Sequence, residues 1–205
     1  MPTLCITGID TGVGKTVVTA GLAARWQRDC GRENVAVLKP VQAGVGDREY
    51  LQRVLGLRQT LAEICPAYYE TPIASAIAQY REQKLLDLGA MWQAYQTLGQ
   101  RYTHVAIEGV GGLGTPLTWD YTVADWLRDW RVPAVLVVPA RLGAIGQTVA
   151  AVALARQTGV KLLGLVVNVF GGGGFGPTGF GGLGSPGSAG KLGQRAGVGG
   201  VAAGR

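Results

Sequence analysis

The chain of 205 residues predicts an α/β fold, a mostly parallel β-sheet flanked by helices on both faces. Three observations carry this expectation. Short β-branched and aliphatic runs alternate with segments of helical period, the pattern of repeated strand–helix–strand units. The strand candidates after the first are strongly apolar, as strands covered on both faces should be. The first strand-to-helix junction carries a glycine-rich loop that closes on Lys15-Thr16.

Thr3–Thr7 reads as the first strand, built on Leu4, Cys5 and Ile6, and Thr16–Cys30 as the helix after it. Val35–Lys39 follows as a strand and Arg48–Leu55 as a helix. Pro66 and Pro72 break the stretch from Cys65 to Ser75 into loop or irregular structure. In the helix Leu86–Arg101, the residues Leu88, Met91, Trp92, Tyr95 and Leu98 recur at three- and four-residue spacing and form one apolar face, read as core packing. Then come a strand at Thr103–Glu108, a helix at Val123–Trp130, a strand at Ala134–Val138, a helix at Ile145–Gln157 and a strand at Leu162–Asn168. At Phe170 the texture changes: of the 36 residues to Arg205, 16 are glycine and none is acidic. Chain of this kind cannot recover its ordering entropy by burial. The sequence therefore divides into a domain at 1–169 and a Gly-rich tail at 170–205 that is expected to be disordered.

Composition removes several classes of function. No apolar run reaches the ~18–20 residues needed to span a bilayer, and no basic-then-apolar leader opens the chain. The reading is a cytoplasmic protein without a membrane partner. Cys5, Cys30 and Cys65 form no C-x-x-C pair, which argues against a disulfide framework or a zinc site. His104, the single histidine, is read as the residue that opens its strand, so a histidine-based triad has nothing to draw on. The net charge of +6 falls to +3 once Lys191, Arg195 and Arg205 of the tail are set aside, and no basic cluster stands out in the body. A nucleic-acid partner is not expected.

The glycine-rich segment is Gly8-Ile9-Asp10-Thr11-Gly12-Val13-Gly14-Lys15-Thr16. Strand, loop, Lys-Thr and helix together predict a P-loop NTPase fold. The glycines turn backbone N–H groups toward an anion, Lys15 reaches the β/γ-phosphates, Thr16 offers its hydroxyl to Mg²⁺, and the helix N-terminus adds a favourable field. The expected phosphate-binding set is Gly12, Val13, Gly14, Lys15, Thr16 and Val17. The loop departs from the usual spacing, because its first glycine, Gly8, stands one residue too early.

Other segments fall where a nucleotide site needs them. Lys39 ends the second strand and points at the same mouth, where it neutralises transferred charge or is simply solvated. Asp47 either meets Mg²⁺ or caps the following helix. Glu108 ends the third strand, as a second metal contact or a turn glutamate, and Gly109, Val110 and Gly111 after it let backbone approach a ligand. Asn168 ends the last strand, as a reader of a purine edge or an ordinary strand terminator.

Taken together, these residues resemble the dethiobiotin synthetase family, the ATP-dependent carboxylase-cyclases of biotin synthesis. The resemblance rests on Thr7 to Thr16, Lys39-Pro40-Val41, Glu108-Gly109-Val110-Gly111-Gly112 with Pro116-Leu117, and Ala124-Asp125-Trp126. It continues through Val137-Val138, Arg141-Leu142-Gly143 and Gly164-Leu165-Val166-Val167-Asn168, and so covers 2–168. The early Gly8 is the family's own spacing. The resemblance implies ATP and Mg²⁺ as cofactors, with 7,8-diaminononanoate and CO₂ or bicarbonate as reactants. It implies Lys15 and Lys39 on the γ-phosphate and carbamate oxygens, and Thr11 on the carbamate. It also implies Thr16, Asp47 and Glu108 on Mg²⁺, and Asn168 on the base. A homodimer with shared active sites is implied near Leu142–Thr148, a segment that helps to bind the substrate carboxylate.

There are two departures. Ala43 stands where members often carry a substrate-contacting serine, and the Gly-rich tail replaces the family's last strand–helix unit and base-covering loop. The abrupt boundary is read as a frameshift or damaged gene end, with weaker and less selective ATP binding. The alternatives are a folded but inactive remnant and a related switch ATPase. Asp10 opposes the latter, since switch ATPases carry a lysine there.

Overall fold

The computed structural model describes residues 2–169. The Gly-rich tail, and the expectation that it is a separate disordered segment, lie outside the described residues.

The main sheet has five strands: β1 (Thr3–Gly8), β2 (Val35–Leu38), β5 (His104–Glu108), β6 (Ala134–Pro139) and β7 (Leu162–Asn168). Their order is β2-β5-β1-β6-β7, and every neighbouring pair is parallel. Val41–Ala43 (β3) and Ala67–Tyr69 (β4) form a separate parallel pair. The helices are α1 (Lys15–Cys30), α2 (Asp47–Leu55), α3 (Leu61–Ile64), α4 (Ser75–Glu82), α5 (Leu88–Arg101), α6 (Val123–Trp130) and α7 (Ala144–Thr158).

Successive side chains of a strand point to opposite faces, so each apolar run feeds two cores. On one face Cys5, Leu38, Ile107 and Leu136 pack with Met91 and Leu98 of α5 and Trp126 and Leu127 of α6. On the other face Ile6, Val37, Ala106 and Val137 pack with Ala20 and Ala23 of α1 and Leu51 and Leu55 of α2. The continuous apolar runs of β2, β5 and β6 thus have the expected cause. The expectation fails for β7. It lies at the sheet edge among the described residues, and Leu163, Leu165 and Val167 are each more than half exposed.

The expected apolar face of α5 is narrower than its spacing suggested. Met91 and Leu98 are buried, whereas Leu88 and Trp92 sit at the rim. Trp92 and Tyr95 instead pack on Trp130 of α6, with ring centroids 5.3 and 5.1 Å away. The helix begins at Leu88, not Leu86, because the Asp87 carboxylate accepts the Ala90 N–H at 2.8 Å and caps it.

Two other expectations shift. The second strand ends at Leu38 and leaves out Lys39, whose N–H goes to the Ile64 carbonyl at 2.7 Å. Pro40 follows, with no N–H to continue the ladder. The stretch from Cys65 to Ser75 is not all loop, because β4 forms within it and pairs with β3. A three-residue strand shows no period for a sequence pattern to reveal.

Candidate active site

The carboxyl ends of β1, β2 and β5 open onto a cavity of about 860 Å³. The P-loop forms its floor, and Gly14 is the N-cap of α1 with φ 96°. The early glycine has a steric reason: a Cβ on Gly8 would lie 2.7 Å from Val13 Cγ2. The loop after β5 is pressed against the P-loop, since a Cβ on Gly112 would lie 2.8 Å from the Ile9 carbonyl oxygen. Only glycine allows that approach.

Thr16, Lys39, Asp47 and Glu108, far apart in sequence, meet here. Thr16 Oγ1 lies 3.0 Å from Asp47 Oδ1 and 2.9 Å from Glu108 Oε1. Lys39 Nζ donates to Glu108 Oε1 at 2.7 Å and also pairs with Asp47. Lys39 and Glu108 are almost fully buried. Burial works against the Lys39 charge, but Glu108 and Asp47 outweigh it and hold the ammonium above its usual range. Burial pushes the Glu108 carboxyl up despite Lys39. For Asp47 burial is outweighed by the Lys39 ammonium and the Thr16 hydroxyl, which hold its carboxyl low.

Lys15 is also buried, and its Nζ donates to the Asp10 carbonyl at 2.8 Å. Burial, with the nearby Lys39 charge, lowers its pKa to about 8. The site thus holds one lysine whose charge its carboxylate partners favour and one whose pKa burial brings down to about 8.

Asp47 does not cap α2. Gly46 is the N-cap, its N–H is met by the Glu49 carboxylate at 2.9 Å, and the Arg48 N–H goes to Gln42 Oε1 at 2.9 Å. The Asp47 carboxylate is left to the cavity. Among the described residues no three His, Cys, Asp or Glu side chains gather as a metal cluster. The oxygens of Thr16, Asp47 and Glu108 nonetheless suit a hard divalent cation, which takes few protein ligands and keeps water. Glu108 Oε2, buried with no hydrogen-bond partner among the described residues, is a further oxygen in need of one.

Thr11, Gly12, Gly14, Lys15, Thr16, Val17, Lys39, Ala43, Asp47, Glu108, Val110 and Gly111 all line the cavity. Three other expected residues are not in its lining. The Val13 side chain is buried in the core behind the loop, so its expected contribution is a backbone N–H. Gly109 continues the strand, its N–H bonded to the Ile6 carbonyl at 2.9 Å. Asn168 braces the P-loop from behind, with Nδ2 donating to the Val13 carbonyl at 3.0 Å. One N–H of that amide is thus engaged with the loop. The sequence reading missed one wall, formed by Pro72, Ile73, Ala74 and Ser75, because it treated that stretch as irregular.

A family profile described as an AAA domain matches residues 2–171. The ATP-dependent dethiobiotin synthetase BioD of Crocosphaera subtropica is 49% identical over 166 residues, which span 81% of this chain and 74% of that protein. The chain belongs to the dethiobiotin synthetase family. The synthetase of Gloeobacter violaceus is 46% identical over 168 residues, covering 82% of this chain and 72% of the relative. Among solved structures, the kinase domain of the Escherichia coli tyrosine kinase ETK superposes with a TM-score of 0.53 at 17% identity, over 84% of this chain and 69% of that one. That likeness extends to the fold alone. A dethiobiotin synthetase-like chain thus shares its P-loop sheet with proteins of quite different chemistry.

Proposed function

We propose that this chain carries out the ATP-dependent closure of dethiobiotin from 7,8-diaminononanoate and CO₂. One substrate amine adds to CO₂ and loses a proton, giving a carbamate. A carbamate oxygen attacks the γ-phosphorus and ADP leaves. The second amine attacks the carbonyl carbon and loses a proton, phosphate departs and the ureido ring closes. The observation that carries this reading is the convergence of Lys15, Thr16, Lys39, Asp47 and Glu108 at one mouth in a chain of this family.

Such chemistry needs little acid–base machinery. It needs charge in the right place and reactants held in line. The P-loop amides and Lys15 hold the β- and γ-phosphates. Lys39 keeps a positive charge beside the carbamate and the transferred phosphoryl group, because its two carboxylate partners raise its pKa. Thr11, at the lip of the cavity, faces the carbamate. Thr16, Asp47 and Glu108 would hold Mg²⁺, which when bound supplies charge to the triphosphate.

The same reading includes a homodimer in the cytoplasm. Its support is an apolar strip at the start of α7 and in the turn before it, where Leu142, Ile145 and Val149 are 97%, 83% and 65% exposed. No helix among the described residues is long and apolar enough to cross a membrane. The test is phosphate release from ATP on the full chain. The expected result is release that depends on both diaminononanoate and bicarbonate, with a product of dethiobiotin's mass. A folded chain with no such dependence overturns the reading.

A further inference from the structure

We infer that Ser75, together with the open N-terminus of α4, forms a subsite for an oxygen of the substrate's carbamate; this rests on the function proposed above.

Ser75 is 1% exposed and lines the active-site cavity, yet its hydroxyl has no hydrogen-bond partner among the described residues. A buried orphan hydroxyl is costly, and folded proteins rarely keep one without a use. Its position explains why it has no local partner. Ala74 is the N-cap of α4, so Ser75 stands one residue too late for its hydroxyl to serve the helix's own amides. The Ile77 and Ala78 N–H groups both go to the Ala74 carbonyl at 2.9 Å, while no partner among the described residues takes the N–H of Ser75 or Ala76. The Ser75 hydroxyl and amide at the positive end of a helix favour an oxygen with negative charge over an ammonium.

The helix is held firmly enough to act as a fixed wall. Gln79 Nε2 donates to the Ser75 carbonyl at 3.1 Å and also to the Leu117 carbonyl, which ties α4 to the loop after β5. At the other end the Glu82 carboxylate accepts the N–H groups of Glu70 and Thr71 at 3.2 and 2.8 Å.

The neighbours select the ligand. Pro72, Ile73, Val110 and Pro116 line the same cavity and suit an alkyl chain, and Lys39 and Ala43 line it too. The P-loop supplies its own amides to the triphosphate. An anionic oxygen on an aliphatic carrier, in the cavity that Lys39 also lines, fits the substrate's carbamate. Ala43 offers no hydroxyl to it, and Ser75 does.

The test compares the full chain with Ser75→Ala and Ser75→Thr. Ser75→Ala is expected to raise the KM for diaminononanoate and for bicarbonate roughly three- to tenfold. The KM for ATP stays near that of the unmodified chain, and kcat falls by less than KM rises. The same variant gains about 2–4 °C in Tm, because a buried unpaired hydroxyl has been removed. Ser75→Thr keeps a hydroxyl and restores the KM. A hydroxyl with a purely structural partner gives the opposite sign in Tm and leaves KM alone. Unchanged KM values in Ser75→Ala beside an active unmodified chain overturn this inference only. If the unmodified chain shows no diamine-dependent phosphate release, the proposed function fails and this inference falls with it.

Discussion

Lys39 and Glu108 are charged side chains with almost no access to water, and each is tolerated because of the other. Removing one partner of such a pair strands the other in a medium that disfavours charge. Lys39→Met is therefore expected to abolish diamine-dependent phosphate release and to cost about 3–5 kcal/mol of stability at neutral pH. The deficit should shrink as pH falls, because Glu108, already pushed up by burial, then takes a proton and becomes neutral. Urea unfolding of the variant between pH 5 and 8 measures this. A deficit that does not change with pH would show that Glu108 is not the stranded charge. Lys15 gives a second prediction. Its pKa of about 8 should rise when a polyphosphate anion binds beside it. Nucleotide binding near pH 8 then takes up a fraction of a proton. Affinity falls as pH climbs above that value, where the free lysine is already neutral. Calorimetry of ADP binding in buffers of different ionisation enthalpy reads the uptake directly, and no uptake at pH 8 contradicts it.

At the scale of elements, the packing of α5 illustrates what a spacing pattern contains. The three- and four-residue recurrence identified the helix and its buried seam, Met91 and Leu98. It did not say where that seam ends, because Trp92 and Tyr95 are drawn toward Trp130 on α6, a partner that spacing within one helix cannot reveal. Leu98→Ala is expected to cost about 2–5 kcal/mol, as for other fully buried leucines, whereas Leu88→Ala at the rim should cost under half as much. Denaturant titration of the two variants checks the ranking. The same limit applies to the site. Asp47 lies where it either caps a helix or faces a ligand, and only Glu49 and Gln42, folded back onto the start of α2, free its carboxylate for the cavity. Asn168 offers a strand-end amide, which suggests a ligand contact, and its Nδ2 also braces the Val13 carbonyl of the P-loop. Asn168→Ala should therefore weaken ATP and GTP alike by loosening the loop, with their ratio unchanged. A selective loss of ATP binding would instead mark Asn168 as the reader of the base.

For the described fold as a whole, three strands with continuous apolar runs feed two cores, one on each face of the sheet. The fourth such run, β7, is at the edge with its apolar residues open, a feature that sheets normally cover or pair. Leu142, Ile145 and Val149 form a second open apolar strip. In the dimer proposed here that strip is the interface, so Ile145→Asp should convert a dimer to a monomer in sedimentation velocity while the far-ultraviolet circular dichroism stays the same. An unmodified chain that sediments as a monomer at micromolar concentration removes the proposed interface.

The sequence by itself determined the parallel sheet, the phosphate-binding loop and the family. These depend on local signals: periodicity over a few residues, and glycines and a lysine at fixed spacing. Only the tertiary structure decided how the side chains of the site pair and what state they are in. Thr16, Asp47, Lys39 and Glu108 come from four separate segments, and the partnership that keeps Lys39 charged exists only once those segments meet. The orphan hydroxyl of Ser75 is likewise invisible in one dimension. Burial and the absence of a hydrogen-bond partner belong to neighbours in space, and a chain read in order does not contain them.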